Sequence, residues 1–463
     1  MLDIIQNVGK GISNAIAEML KKPPSAKYMA AFDKDSEHIS LWNKSFTFDG
    51  VRFLSHSIGV RNMMLTSKTG GGKTTSYIQP SIYNIGKSKC SMIIHDCSGG
   101  ELYATTSGYL ARLGFLIWVI NYSNAKESMT FNSLLDLDSI SAIQKASLLI
   151  HRNAIGIPKG ENFFENSSIM VLSLFIRLLV FHTEPKYRTL QSALRLIHQF
   201  LIDPTPIDRM FAQSNDPELI SEYKATLMMG ERTLQSVLAT LRTALASFID
   251  PQISTVSASS TIDLKELRKR PVAIYVKNPI ADLAYYKPVA GLFFQSVFNY
   301  CLSAIPQKTD RNIYVILDEG SSFIFPNAGT LFAHCRKFRT GILYCCQDES
   351  SLDVYGSVEA NQIRTNCCTK VYLGSQPLHT AKNLSQQLGK TTMETEKGAV
   401  IRELMTVDEL CKTKETIVVI DTEIFRITPT PYYKHLAFRR YAKIPPYKIP
   451  EQQSTSPSPI QFD

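Results

Sequence analysis

Apolar side chains recur along the chain with two different spacings, and each spacing predicts a different kind of element. Short, almost continuous apolar runs predict buried strands, and the stretches between several of them have apolar positions three or four residues apart, which predicts helices. The predicted strands are Asn62–Leu65, Ser91–His95, Phe115–Ile120, Val272–Val276, Ile313–Leu317, Gly341–Cys346, Lys370–Leu373 and Thr416–Ile420. Strands that alternate with helices are typical of parallel sheets. We therefore expect an α/β fold with a doubly wound, mostly parallel sheet.

The middle of the chain has a different pattern. Ser168–Phe181, Leu190–Leu201 and Thr233–Phe248 have helical spacing, and few β-branched alternating runs lie between them. We predict an all-α domain over residues 139–250. It is inserted into an α/β domain that residues 51–138 and 251–442 form together.

The two ends of the chain also differ from the rest. Residues 1–21 place apolar side chains at helical spacing, and Pro23 and Pro24 follow. This pattern predicts an amphipathic helix within an N-terminal lead-in of residues 1–50. Residues 443–463 are rich in Pro and Ser and show no apolar periodicity, which predicts a disordered tail.

Composition excludes a mainly disordered chain, a collagen and a small disulfide-rich protein. Of the 463 residues, 44% are hydrophobic and 20% are charged, as in folded chains of two or three domains. The net charge of +9 permits a nucleic-acid or anionic-membrane partner without requiring one. Nine cysteines without a C-x-x-C pair favour a reducing compartment and indicate neither disulfides nor a zinc site. The most apolar stretch, Ser167–Phe181, contains Arg177 and is too short to span a bilayer, so we expect a soluble protein.

A glycine-rich segment follows the first predicted strand of the sheet and precedes a helical stretch. It consists of Ser67, Lys68, Thr69, Gly70, Gly71, Gly72, Lys73, Thr74 and Thr75. Glycines leave backbone N–H groups free to bind phosphate oxygens, and the next helix adds its positive end. In this interpretation Lys73 reaches the β- and γ-phosphates of ATP and Thr74 binds Mg²⁺. Ser67 stands where the strict pattern has Gly, and a glycine-rich turn that merely ends in Lys-Thr is the alternative.

A second pattern supports the first. The apolar run Ile313–Leu317 ends in Asp318 and Glu319. A carboxylate at the end of such a strand lies beside a phosphate loop, so Asp318 is the predicted partner of Mg²⁺. Glu319 is predicted to act as the general base that activates water.

Two further polar residues are candidates for the same chemistry. Gln347 follows the predicted strand Gly341–Cys346 and is placed to sense the γ-phosphate. Arg336 precedes that strand, and in ring-shaped ATPases such an arginine stabilises the transition state in the neighbouring subunit. For Arg336 and the nearby Arg339, a solvated helix face is an equally supported interpretation.

These residues resemble, in order and spacing, the type IV coupling proteins of bacterial conjugation and type IV secretion. His95–Tyr103 resembles the family's Asp-Pro-Lys/Ser-Gly-Glu-Leu segment with one extra residue. The other landmarks are the phosphate loop, Phe131–Leu134, Asn162–Glu165, Leu317–Glu319, Arg336–Gln347, Gly389–Thr392 and Arg402–Leu410. The resemblance extends from about Arg61 to Tyr433. It rests on the shared order of these segments.

The resemblance implies a RecA-like fold, a homohexamer around a central channel, and ATP with Mg²⁺ as cofactors. It implies a relaxase carrying single-stranded DNA and the components of a type IV secretion channel as partners. Most members begin with two transmembrane helices, which this sequence lacks. A separate membrane-anchor protein is therefore a further expected partner. The expected location is the cytoplasm, with peripheral attachment at the inner face of the cell membrane as an alternative.

Two other functions are compatible with these residues. One is a type IV secretion ATPase or receptor that handles only proteins. The other is a receptor that binds nucleotide without hydrolysing it, although such a protein has no need of a general base such as Glu319.

One segment near the C-terminus mixes cations with aromatic residues. Residues 424–450 contain six Lys and Arg residues, Arg439 and Arg440 among them, and no Asp or Glu. This composition suits single-stranded DNA, because cations attract phosphates and aromatic rings stack on bases. Packing of the same aromatic side chains in the core is the alternative interpretation.

Overall fold

The computed structural model describes residues 29–34, 36–39, 44–157, 163–395, 398–450 and 457–462. Thirteen strands lie within these residues. They are β1 (Lys44–Thr47), β2 (Phe53–Ser55), β3 (Met63–Ser67), β4 (Ser91–Asp96), β5 (Leu116–Asn121), β6 (Val272–Lys277), β7 (Ile313–Leu317), β8 (Thr340–Cys346), β9 (Thr369–Leu373), β10 (Lys390–Thr395), β11 (Gly398–Glu403), β12 (Thr416–Ile420) and β13 (Glu423–Ile427).

Nine of these strands form one central sheet in the order β13-β12-β9-β3-β8-β7-β4-β6-β5. The seven strands from β9 to β5 pair in parallel, whereas β12 is antiparallel to both β9 and β13. The mostly parallel sheet that the sequence predicts is therefore confirmed. All eight predicted strands are present with bounds that differ by at most two residues, because strands buried on both faces are continuous apolar runs.

Helices cover the sheet and fill the interval between β5 and β6. The α-helices of the described residues are His56–Gly59, Gln79–Lys87, Glu101–Arg112, Ile140–Ile155, Phe163–His182, Leu190–Ile202, Thr205–Gln213, Pro217–Leu227, Glu231–Ala244, Pro251–Val256, Glu266–Lys269, Leu283–Ser303, Ala328–His334, Gly356–Thr365, Leu378–Leu388, Val407–Lys412 and Leu436–Tyr441. The predicted N-terminal helix of residues 1–21 lies outside the described residues.

The alternation of side chains along each strand divides the core between the two faces of the sheet. In β4, Met92 and Ile94 pack on one face, and Ile93 packs on the other. The cluster that contains Ile93 continues into the helices between β5 and β6, where it includes Leu172 and Leu241. The sheet and the helical region therefore share one apolar core.

Among the described residues between Asn121 and Val272 there is no strand. The most apolar helix in this region, Phe163–His182, is longer than the stretch that we predicted. Its length and composition would suit a membrane crossing, but 67% of its most apolar 18-residue stretch is buried inside the protein. Arg177 is buried in this helix because its guanidinium pairs with Asp216 and Glu222, each at 3.1 Å. The domain boundaries at residues 139 and 250 stay a prediction.

The C-terminal tail corrects one expectation. Residues 443–450 were predicted to be disordered but pack along the helix Glu101–Arg112. The Tyr447 N–H donates to Ser107 Oγ at 3.0 Å, and the Tyr103 hydroxyl donates to the Tyr447 carbonyl. Further along, Ile460 is buried in the core on the other face of the sheet. These contacts join residues that are distant in sequence, so the local pattern of apolar residues does not predict them.

A glycine makes this packing possible. A Cβ atom at Gly108 would lie 1.9 Å from the Pro445 carbonyl oxygen. In an open helix, Gly→Ala stabilises by up to about 1 kcal/mol. We predict that Gly108→Ala instead lowers the free energy of unfolding by about 1–3 kcal/mol, because the methyl group displaces the tail.

Urea denaturation and proteolysis of the tail would measure this effect. Ala104→Ser, an exposed change on the same helix, is the control and should stay within about 0.5 kcal/mol of the wild type. A Gly108→Ala variant that is as stable as the wild type would contradict the packing described here.

Candidate nucleotide site

The predicted phosphate loop, residues 67–75, follows β3, and β3 lies between β8 and β9 in the middle of the sheet. Gly70 and Gly72 have φ of +77° and +90°, in the left-handed region that favours glycine. A Cβ atom on Gly71 would lie 2.3 Å from Ser67 Oγ. Ser67 therefore occupies the position of the first glycine with its hydroxyl against Gly71, and this hydroxyl donates to the Lys68 carbonyl at 3.0 Å. The departure from the strict pattern is accommodated inside the loop.

Lys73 joins this loop to the end of β7. Its Nζ lies 3.1 Å from Asp318 Oδ1 and 3.4 Å from Glu319 Oε2, and it donates to the Asp318 carbonyl at 2.5 Å. Burial alone lowers the pKa of Lys73. The nearby Cys345 sulfur and the two carboxylates raise it by more, so the pKa lies above its ordinary value and the ammonium stays charged. One cation thus faces two carboxylates.

Strand order explains why residues so distant in sequence meet. The carboxyl ends of parallel strands lie at one edge of the sheet, and β8 alone separates β3 from β7. Gln347, which follows β8, lies at the same edge. A cavity of about 360 Å³ opens there, lined by residues 67–75 together with Cys97, Ser98, Glu101, Asp318, Glu319 and Gln347.

The donor set of this cavity fits Mg²⁺ and a phosphate chain. Asp318 supplies a hard carboxylate oxygen and Thr74 a hydroxyl, the ligand types that Mg²⁺ prefers. Gly70 and Gly72 leave room against the backbone that side chains would fill. All predicted site residues except Arg336 line this one cavity.

Arg336 lies at the opposite edge of the sheet. It is exposed beside the amino ends of β3 and β9, on a second cavity of about 300 Å³ whose other cations are Arg61 and Lys370. Arg61 Nη1 pairs with Asp421 Oδ2 at 3.1 Å in this cavity. The structure does not bring Arg336 to the phosphate loop of its own chain.

Arg339 has a structural role instead. Its φ is +48°, its Nε donates to Asn312 Oδ1 at 2.8 Å, and its Nη1 donates to the Gln307 carbonyl at 2.8 Å. These contacts tie the start of β8 to the start of β7. The interpretation as a solvated helix face does not hold for this residue.

The sequence matches the family described as Type IV secretory system conjugative DNA transfer over residues 15–421. The chain belongs to this family. The match covers most of the sequence, including the phosphate loop and the strand that carries Asp318. No curated protein matches the chain.

Solved structures with a similar fold include a bacterial conjugative coupling protein and VirB4. The unbound bacterial conjugative coupling protein TrwBdeltaN70 superposes with a TM-score of 0.66 at 14% identity, over 86% of this chain and 90% of that one. TrwB with ADP and Mg²⁺ gives a TM-score of 0.61 at 16% identity, over 92% of each chain. VirB4 of Thermoanaerobacter pseudethanolicus gives 0.53 at 12% identity, over 87% of this chain and 98% of that one. These similarities show that the chain has a RecA-like fold.

Sequence reasoning missed the residues that follow β4. Cys97 Sγ lies 3.4 Å and Ser98 Oγ 3.3 Å from Asp318 Oδ2, and Glu101 lines the cavity. The segment was recognised only as a landmark of the family. The position of β4 beside β7 could have identified it, since the strand ends then meet.

Most aromatic rings of the segment 424–450 pack against the core, whereas Tyr433 is exposed. Phe425 and Phe438 are buried, and Tyr441 stacks on Tyr109 with ring centroids 4.1 Å apart. These rings are not free to stack on bases. Arg439 and Arg440 are exposed.

His95 makes the stability of this family member depend on pH. It is fully buried between Phe294 and Phe323, and burial lowers its pKa to about 4. The unfolded chain therefore binds a proton near pH 6.5, before the folded one does, and acid favours unfolding. We predict that His95 removes about 2–3 kcal/mol of stability between pH 7 and pH 4.5.

Urea denaturation of the wild type and of His95→Leu at both pH values would isolate this contribution. Asp96 acts in the opposite direction, since burial raises its pKa to about 6, but it is present in both proteins and cancels in the difference. His334→Gln, at an exposed position, is the control substitution. Equal losses of stability in the wild type and in His95→Leu would contradict the assignment.

Proposed function

We propose that this protein is an Mg²⁺-dependent ATPase that recruits relaxase-bound single-stranded DNA to a type IV secretion channel and powers its conjugative transfer. The observation that carries the proposal is the contact of Lys73 with Asp318 and Glu319 inside the cavity of the phosphate loop. It joins a phosphate-binding cation, a metal-binding carboxylate and a candidate general base in one place.

The charges of the site would allow Lys73 to exchange its two carboxylate partners for phosphates. One lysine against two carboxylates leaves about one negative charge in excess. With ATP present, Lys73 would reach the β- and γ-phosphates, and Thr74 and Asp318 would hold Mg²⁺, which would neutralise phosphate charge. Glu319, no longer paired with Lys73, would then be free to accept a proton from the attacking water.

The relatives support this assignment of ligands. TrwB has been solved with the ATP analogue ADPNP, with the GTP analogue GDPNP, and with ADP and Mg²⁺. Those ligands belong to TrwB, and we propose that this chain binds ATP and Mg²⁺ in the same type of site. We also propose a location at the cytoplasmic side of the secretion channel.

The position of Arg336 favours an assembly. The phosphate loop lies at the carboxyl edge of the sheet, and Arg336, Arg61 and Lys370 lie at the amino edge. A head-to-tail contact would place the amino edge of one subunit against the loop of the next, and repetition of such a contact closes a ring when its rotation divides a full turn evenly. We propose a homohexamer in which Arg336 completes the site of its neighbour.

We predict that Lys73→Ala and Asp318→Ala abolish ATP hydrolysis, because they remove phosphate binding and metal binding. Glu319→Gln should bind a fluorescent ATP analogue normally and hydrolyse ATP at least about 100-fold more slowly, because the general base is lost. Turnover with and without single-stranded DNA measures both the chemistry and the substrate class.

Lys382→Ala, an exposed change on the helix Leu378–Leu388, is the control. Hydrolysis that DNA does not stimulate would favour the protein-only secretion ATPase, and nucleotide binding without hydrolysis by the wild type would favour the non-catalytic receptor. Normal turnover by Glu319→Gln would show that another residue is the base.

The trans role of Arg336 has a separate test. Arg336→Ala and Lys73→Ala proteins should each be inactive alone. After random mixing, roughly one quarter of the interfaces combine an intact loop with an intact arginine and should regain activity. Mixing Lys73→Ala with Glu319→Gln is the matched control, since both changes disable the same site. Failure to recover activity in mixed rings, or full activity in a monomeric preparation, would refute the proposal.

A further inference from the structure

Two side chains outside the predicted site contact the carboxylate of Asp318. Cys97 Sγ and Ser98 Oγ lie 3.4 and 3.3 Å from the same oxygen, Oδ2. The other oxygen, Oδ1, faces Lys73 at 3.1 Å. The two oxygens therefore have different partners: Lys73 pairs with Oδ1, and the two residues that follow β4 donate to Oδ2.

The backbone places both donors firmly. β4 and β7 pair in parallel with His95 opposite Leu317, so Asp96 is level with Asp318 and residues 97 and 98 follow directly beyond the end of β4. Two glycines with φ of +70° and +88°, Gly99 and Gly100, then turn the chain into the helix Glu101–Arg112. At the start of this helix, the Tyr103 N–H donates to Asp96 Oδ2 at 2.7 Å. The donors thus sit between a paired strand and an anchored helix.

We propose that Cys97 and Ser98 are positioning residues that fix the carboxylate of Asp318 so that Oδ1 faces the metal ion. This inference rests on the proposed function. A thiol S–H and a hydroxyl O–H are both hydrogen-bond donors, so Cys97 can donate to Asp318 as Ser98 does. Hydrogen bonds to an ionised acceptor are the stronger class and suit this task.

The need for these donors is greatest in the loaded site. Before nucleotide binds, Lys73 also orients Asp318 through Oδ1. Once Lys73 has turned to the phosphates, Cys97 and Ser98 are the side chains that the described residues still offer to Oδ2. The side chain of Asp318 is only 2% exposed, so water does not replace a lost donor freely.

Binding of a fluorescent ATP analogue, measured with Mg²⁺ and with EDTA, separates positioning from folding. In the Cys97→Ala/Ser98→Ala double variant we expect the gain in affinity that Mg²⁺ provides to fall roughly ten-fold, with binding in EDTA unchanged. Each single variant should lose part of this gain. Cys97→Ser keeps a donor at position 97 and should retain wild-type Mg²⁺ dependence.

Cys90→Ala, a buried thiol immediately before the other end of β4, is the matched control and should behave as the wild type. Thermal melting confirms that each variant is folded. An unchanged Mg²⁺ dependence in the double variant, or an equal loss of affinity with and without Mg²⁺, would overturn the inference. Absence of nucleotide binding by the wild type would instead contradict the proposed function.

Discussion

The contact of Lys73 with two carboxylates is the interaction on which the site depends. Burying an unpaired charge costs several kcal/mol, so the cation between them stabilises the buried Asp318 and the half-buried Glu319. One lysine cannot neutralise both. The excess negative charge that remains favours binding of a divalent cation. In the proposed nucleotide complex, the phosphates would face Lys73 and the N–H groups of the loop.

The strand order makes this contact possible. It also places the phosphate loop and the cluster of Arg61, Arg336 and Lys370 at opposite edges of the sheet. All seven parallel strands end at the edge where the phosphate loop lies, and they begin at the edge where Arg61, Arg336 and Lys370 gather. The helical region shares its apolar core with one face of the same sheet. Because close-packed interiors transmit strain, a displacement at the strand ends would be felt by the helices that share this core.

Much of this could be predicted from the sequence, for identifiable reasons. The buried parallel strands are continuous apolar runs, and Lys73, Asp318 and Glu319 follow such runs at fixed positions. The hairpin of β10 and β11 was missed because its residues are largely exposed and lack a clear apolar alternation. Cys97 meets Asp318 across 221 residues, and only the order of strands in the sheet brings them together. The C-terminal tail was misjudged because its anchors are Gly108 and the rings of a distant helix.

The location of the arginines has a consequence for when the site can work. Among the described residues that line the nucleotide cavity, the cations are Lys68 and Lys73, and no arginine is present. Phosphoryl transfer builds charge that an additional cation stabilises, often by several orders of magnitude in rate. Arg336 lies at the far edge of the sheet, and we propose that it supplies this cation to a neighbouring subunit. On this proposal hydrolysis depends on assembly, and a chain outside the ring would bind ATP without hydrolysing it.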